Sequence, residues 1–596
     1  MSSDTISTNS PGFDGGAVDA GEALKKRRVI IIGLDGATPD VMRPLAEEGI
    51  MPEMKRLMDQ GAWGTLMSTV PPVTGPAWCS FSTGKQPGNH GVFDFFKPTR
   101  ANNAVGISRR LINSREIDGK SIWHLFSEQD LKVIVMNVPV TYPPRPVNGV
   151  MFTGMLTPSA DGDLTYPPGV YQKHKPELGE YIITVNWQGY NEKTADGFLR
   201  DLIHAQRQRT KYCLKMMDEH PDWNLCFPCY TGVDRVQHAM WHYIDPVERE
   251  KLKKAGKFNP AFLEMVWDYY RQVDEDIRMI REKAGHDVPV FFASDHGFGP
   301  LYGKIYVNDF LAKKGLLVYD KSKIRQAMIG LLGKKVFLKG LKTIGLKKMY
   351  AEAQAKKAAE RGSAAARTFY DVFYEAIDWS KTKAYMASNT EGGLYINVKG
   401  RKLYRDDLDI GCVEPEDYEK VRKEVVDALR EIRHPDTGKP MLSHVKFRED
   451  VYHGKYINRA PDIVFFLDNG EWIADFLLGK GSFKRADWRS GSGMHRMEGF
   501  FLAHGDGIRH NPDVNCTITD VVPTILAYLG MPIPRDMDGR FIEEAFNDDW
   551  KASHSVTRGE LDAVEAGSGW GAGAGVYNED DEAVLVERLR GLGYID

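Results

Sequence analysis

Cysteine is scarce in this chain. There are six among 596 residues, scattered from Cys79 to Cys516. So few, so widely spaced, exclude a disulfide framework and fit reduced thiols. Cys226-Phe-Pro-Cys229 has CxxC spacing but lies inside an apolar, strand-like run, which favours strand packing over a redox or zinc site. No apolar run reaches the roughly 18 residues that a membrane-spanning helix needs. Net charge is nearly absent, at -4. A nucleic-acid partner, which calls for a basic surface, is therefore not expected. Met1 to Ala23 is rich in Ser, Gly and Asp and lacks the apolar core of a secretory signal, so a cytoplasmic location is expected. No internal repeat is evident.

What remains is the composition of a globular protein, 42% hydrophobic and 27% charged, too long for one simple core. Residues 1–26 read as a disordered tail. Val29-Ile-Ile-Ile-Gly-Leu34 then has the β-branched signature of a buried parallel strand. Leu131–Met136, Trp223–Tyr230 and Val288–Ala293 repeat it. Helical patterns over Pro39–Gln60, Ser121–Gln129, Gly197–Glu219 and Asn259–Ala284 lie between them. This alternation predicts an α/β, doubly wound, mainly parallel sheet. Residues 311–450 change character and read as an inserted α+β cap. Within it, Lys321 to Tyr350 is basic and amphipathic with no Asp or Glu. That pattern fits a solvated lid face, with peripheral membrane contact as the other reading. Core character returns over 451–548, beginning with Pro461–Phe466. Residues 549–596 read as a Gly-rich linker and a short amphipathic helix, Ala583–Leu592, that docks back on the body.

Three apolar runs end in an acid: Leu34-Asp35, the 223–230 run followed by Asp234, and Ala293-Ser-Asp295. Ligands of open α/β sheets collect beyond the carboxyl ends of the strands, so these acids should share one rim. Two bring a histidine, as Asp234-x-x-x-His238 and Asp295-His296. The four-residue step puts Asp234 and His238 on one face of a helix. His495, in a Gly-rich loop before a strand, is a further candidate. Mixed Asp and His donors suit zinc, with manganese as the alternative. Their number argues for two ions, an arrangement that clamps both the attacking and the leaving oxygen in phosphoryl transfer. Thr74, where a loop enters a helix, is the candidate nucleophile; alone it would read as an N-cap.

These segments resemble the alkaline phosphatase superfamily, and within it the type I phosphodiesterase/nucleotide pyrophosphatase group and its phosphohydrolase or phosphomutase relatives. The motifs are Gly33-Leu-Asp35-Gly36, Thr74-Gly-Pro, Ser82-Thr-Gly-Lys-Gln-Pro-Gly-Asn-His90-Gly91, Asp234-Arg-Val-Gln-His238, Ser294-Asp295-His296-Gly297 and Gly493-Met-His495. In order they cover nearly all of residues 29–545. The resemblance implies a three-layer α/β/α sandwich, with core segments 27–310 and 451–548 around the 311–450 cap. It implies one metal on Asp35, Thr74, Asp295 and His296, and another on Asp234, His238 and His495. It also implies that Thr74 attacks phosphorus to give a phosphothreonine that water then hydrolyses. The expected activity is cleavage of phosphodiester or phosphomonoester bonds in a small-molecule phosphate ester, phosphorylated lipid or nucleotide. A phosphomutase using the same site is the enzymatic alternative, and a non-catalytic membrane-surface or scaffold protein the other. A sulfatase is disfavoured, because Cys79 lacks the Cys-x-Pro-x-Arg context. One departure stands out. Phe95 occupies about the place where the nucleotide pyrophosphatases carry an Asn that contacts phosphoryl oxygens. Lys85, Lys304, Asn308 and Arg496 are candidates for the missing contact, and His90 reads as a structural histidine.

Overall fold

The computed structural model describes residues 20–100, 107–324, 376–390, 392–401, 411–488, 490–560 and 576–594. Its centre is a nine-stranded mixed sheet. The spatial order is Asn511–Thr517, Ala62–Met67, Glu498–His504, Val290–Ala293, Val29–Leu34, Leu225–Tyr230, Val133–Val138, Gly149–Thr153 and Thr165–Tyr166. Val29–Leu34 pairs in parallel with Leu225–Tyr230 on one side and Val290–Ala293 on the other. Antiparallel pairing enters through Glu498–His504, which separates Val290–Ala293 from Ala62–Met67, and at the far edge.

The continuous apolar run Val29–Leu34 is explained by burial on both sides. Ile30, Ile32 and Leu34 enter one core, beneath helices Pro39–Glu47, Pro52–Gln60, Ala195–Glu219, Gly232–Ile244 and Pro260–Ala284. Val29 and Ile31 enter a second core on the opposite face, with helices Thr74–Thr83, Ile122–Glu128 and Val521–Tyr528. That is the three-layer α/β/α arrangement the resemblance implied, with the mainly parallel sheet that the strand–helix alternation predicted.

A second sheet and third core lie alongside. Its strands run Ala384–Met386, Gly393–Ile396, Ile463–Leu467, Trp472–Asp475, Gly303–Tyr306 and Phe483–Arg485, with Leu442–Phe447 paired to Ile463–Leu467. This sheet reaches beyond 311–450 on both sides. The Ile463–Leu467 strand, within the stretch where core character returns, is paired here rather than in the main sheet. An apolar run fits either sheet, and its partners Gly393–Ile396 and Leu442–Phe447 decide. The stretch expected as one helix over 39–60 is two, Pro39–Glu47 and Pro52–Gln60. Gly49 takes φ +75° between them, and Pro52 starts the second helix rather than extending the first.

The main body also runs past 548. Trp550 is buried, and Arg558–Gly559 pairs with Ile533–Pro534. At the other end Ala20–Lys25 is helical within the stretch expected as a tail. Most of the basic 321–350 segment lies outside the described residues. The last helix, Glu579–Gly591, is longer than the Ala583–Leu592 expected, and Leu585, Leu589 and Leu592 are buried in the third core.

Candidate metal centre

Val290–Ala293, Val29–Leu34 and Leu225–Tyr230 are adjacent and parallel, so their carboxyl ends lie side by side. Asp35 follows one directly and Asp295 follows another within two residues. Asp234 is the third residue of Gly232–Ile244, the helix that leaves the third strand. One helical turn later comes His238. His495 arrives from elsewhere, on Gly493–Arg496, which pairs antiparallel with Gly297–Pro300 and so sits beside Asp295-His296. Thr74 is the first residue of helix Thr74–Thr83, and no side chain caps that end. All seven side chains are buried, none more than 5% exposed.

The contacts are close. His495 Nε2 lies 3.2 Å from Asp234 Oδ1 and 3.0 Å from His238 Nε2. His238 Nε2 is 3.4 Å from the same carboxylate oxygen. His296 Nε2 is 3.3 Å from Asp295 Oδ2, 3.7 Å from Asp35 Oδ1 and 3.8 Å from Asp234 Oδ1. Thr74 Oγ1 is 3.3 Å from His296 Nε2. Two sets of converging donors result, Asp234 with His238 and His495, and Asp35 with Asp234 and His296.

The tautomers follow from the backbone. Nδ1 of His238 faces Gly493 O at 3.0 Å, Nδ1 of His495 faces Pro72 O at 2.9 Å, and Nδ1 of His296 faces Gly297 O at 3.2 Å. A carbonyl only accepts, so each Nδ1 carries the proton and each Nε2 offers a lone pair. Three such lone pairs then point among three carboxylates. Asp35 Oδ1 and Asp295 Oδ2 are buried without a hydrogen-bond partner. Buried acceptors facing acceptors are costly unless a cation lies between them, and an N/O donor set of this kind fits divalent metal ions.

The electrostatics say the same. Burial, then Asp295 and Asp234, pushes the Asp35 carboxyl well above its usual range. Burial and Asp234 push Asp295 up to about 8. Burial would raise Asp234 too, but His238 and Arg235 hold it below the usual carboxylate range. Burial lowers His238 to about 4, and burial with His495 lowers His296 well below its ordinary value. Asp35 and Asp295 thus resist ionisation while Asp234 stays charged against Arg235, and His238 and His296 resist protonation.

Neighbouring side chains fix the donors. Gly36, at φ +77°, donates its N–H to Asp295 Oδ1 at 3.0 Å; a Cβ there would lie 2.8 Å from the Phe298 ring. Trp78 Nε1 donates to Asp35 Oδ2 at 3.3 Å, and it reaches there because Gly33 leaves room for its ring. Gln237 donates to Gly36 O at 2.6 Å.

Two residues in the site were not singled out in the sequence. Arg235, buried, pairs with Asp234 Oδ2. Its place beside Asp234 in the motif was the available signal. Tyr594, from the far end of the chain, puts its hydroxyl 2.7 Å from Thr74 Oγ1 and 3.3 Å from Arg235 Nη1. Only the expected docking of the last helix pointed there. Phe95 packs edge-on against Tyr594, with centroids 4.8 Å apart.

The four candidates for a phosphate contact are held elsewhere. Lys85 pairs with Asp536, and Lys304 with Asp475 at 3.0 Å. Asn308 is bonded to Met386 and Phe476, and Arg496 to the carbonyls of Gly470, Pro300 and His495. Buried His90 accepts from Val92 N–H and meets Ser80 Oγ at 2.8 Å, a packing role. Cys226 and Cys229 enter opposite cores, as residues three apart on a strand must, so they form no ligand pair.

Comparison with known proteins gives a family. A family model described as type I phosphodiesterase / nucleotide pyrophosphatase matches residues 29–401. A search of curated proteins found no match. Among solved structures, phosphonoacetate hydrolase from Sinorhizobium meliloti 1021 in complex with phosphonoformate is 15% identical; the alignment covers 80% of this chain and 89% of that one, with a TM-score of 0.47. Human ectonucleotide pyrophosphatase / phosphodiesterase 5 is 14% identical, with 88% and 100% covered and a TM-score of 0.47.

Proposed function

The chain belongs to the type I phosphodiesterase / nucleotide pyrophosphatase family, as a metal-dependent hydrolase of phosphoester bonds, and from that premise we propose that it works through a two-metal site and a phosphothreonine on Thr74. The observation that carries this reading is the convergence of three Nε2 lone pairs and two unpartnered carboxylate oxygens on the space beside the Thr74 hydroxyl. One ion would be held by Asp35, Thr74, Asp295 and His296, the other by Asp234, His238 and His495. The donor set favours zinc. Such ions supply two things, a lowered pKa for the Thr74 hydroxyl and neutralisation of charge on the phosphoryl oxygens.

The chain's own residues do the rest. Trp78 and the Gly36 N–H hold the carboxylates of Asp35 and Asp295 in place. Carbonyls of Pro72, Gly493 and Gly297 hold the three rings. Thr74 Oγ1 forms a bond to phosphorus while the P–O bond to the leaving alcohol breaks, and that alcohol leaves with a proton. Water then attacks the phosphothreonine, releases the phosphate or monoester, and returns the hydroxyl to Thr74. Burial of the site keeps other water away from the first step. A small-molecule phosphate ester is the substrate class.

The test combines metal analysis with turnover of p-nitrophenyl phosphate and bis-p-nitrophenyl phosphate. Two ions per chain and chelator-sensitive turnover are expected. Thr74→Ala should lower kcat by at least ~10³, following the loss seen when covalent nucleophiles are removed. Protein that binds no divalent metal, or Thr74→Ala protein with full metal-dependent activity, sinks the proposal. Phosphate moved to a second hydroxyl, seen by phosphorus NMR, would mean mutase chemistry instead.

A further inference from the structure

Tyr594 lies 520 residues from Thr74 in sequence, yet its hydroxyl is 2.7 Å from the Thr74 Oγ1. The placement is built from several sides. Leu585, Leu589 and Leu592 seat the last helix in the third core. The Phe95 ring meets the tyrosine ring edge-on, and the Arg235 guanidinium lies over its face at 5.5 Å. Arg235 Nη1 donates to the hydroxyl oxygen at 3.3 Å. Because that oxygen already accepts from a cation, its own proton is polarised and free for an acceptor on the Thr74 side. Arg235 Nε is buried with no hydrogen-bond partner.

We propose that Tyr594 is a catalytic residue whose hydroxyl, backed by Arg235, donates to a phosphoryl oxygen of the substrate at Thr74. A phosphorus within attack distance of Thr74 Oγ1, about 3 to 3.5 Å, carries oxygens that come within hydrogen-bond reach of a hydroxyl already beside that Oγ1. The turn that follows the last helix thereby completes an active site otherwise made at the carboxyl ends of the central strands. Donors aimed at phosphoryl oxygens in a water-excluded site act where charge develops. This inference rests on Thr74 as the phosphoryl acceptor.

The test uses full-length, zinc-loaded protein and inorganic phosphate, with binding measured by calorimetry. Tyr594→Phe keeps the ring and removes the hydroxyl. It should weaken phosphate binding and lower kcat/KM for p-nitrophenyl phosphate, each by about 10- to 100-fold, the range for a hydrogen bond to a charged group. Zinc content should stay at the wild-type level, which a merely structural role would also allow, but phosphate affinity would not then move. Tyr594→Leu repeats the measurement should the phenylalanine variant fold poorly. Affinity within about twofold of wild type, or activity that rises, overturns the proposal, the latter marking Tyr594 as an obstruction. Wild-type protein that binds phosphate yet turns over neither ester sinks the hydrolase reading while the binding role stands. Wild-type protein that turns over the esters yet binds no phosphate overturns the Tyr594 role while the hydrolase reading stands.

Discussion

Asp234→Asn isolates what the centre does for metal binding from what it does for stability. Asp234 Oδ1 lies 3.2 Å from His495 Nε2, 3.4 Å from His238 Nε2 and 3.8 Å from His296 Nε2, and so belongs to both sets of donors. Its other oxygen pairs with Arg235, which is 1% exposed. The substitution keeps the shape and removes the charge. Two consequences should follow. Metal content falls, because the ion proposed on Asp234, His238 and His495 loses its one charged donor. Separately, a buried guanidinium loses its nearest counter-charge, and breaking such a pair costs ~3–5 kcal/mol. Asp35 still acts on Arg235, which favours the lower end. With an unfolding entropy of ~2.1 cal/mol/K per residue, a chain of this size loses about 2–4 °C in Tm. The assay is calorimetric melting of chelator-treated protein, with metal content measured in parallel on zinc-loaded protein. The double variant Asp234→Asn with Arg235→Met is the decisive arm. It removes the stranded charge, so Tm should recover while metal content does not. Two ions bound to Asp234→Asn with unchanged affinity, or a double variant no more stable than the single, would refute this account.

Further outcomes follow from other parts of the molecule. Burial holds His90 at about 3 in the folded chain against 6.5 when unfolded. The unfolded state therefore takes up a proton first as pH falls. Stability should drop from pH 6.5 downward, by roughly 2 kcal/mol at pH 5, and His90→Asn should flatten that part of the melting profile. Leu585→Ala with Leu589→Ala, both at buried positions of the last helix, should weaken phosphate binding as Tyr594→Phe does while zinc content holds; unchanged phosphate affinity would show that helix docking does not place Tyr594. Cys226→Ala with Cys229→Ala should leave zinc content unaltered, since their side chains enter opposite cores, and a fall would restore the CxxC to consideration.

Much of the site was legible because strand ends are legible. A β-branched run followed by an acid identifies a residue at a sheet's carboxyl edge. Val29–Leu34, Leu225–Tyr230 and Val290–Ala293 turned out to be neighbours, which brought Asp35, Asp234 and Asp295 together. The four-residue step from Asp234 to His238 gave one helical face without further information. The phosphate-contact candidates Lys85, Lys304, Asn308 and Arg496 failed for a different reason. Residue type and proximity in a motif do not say which carbonyl or carboxylate claims a donor first, and here Asp536, Asp475 and backbone carbonyls did. The Pro461–Phe466 run was legible as core, but which sheet it joins was not, because an apolar strand carries no label for its partner.

The sequence by itself determined the α/β class, the alternation that orders the central strands, and the acids and histidines that could meet at their ends. Periodicity and residue chemistry are local and survive without coordinates. Only the tertiary structure decided which lone pairs face inward, because a ring's tautomer depends on the carbonyl behind it. It alone brought Arg235 and Tyr594 to Thr74, since a contact spanning 520 residues leaves no trace in local pattern and arises from how the last helix seats its leucines in the third core.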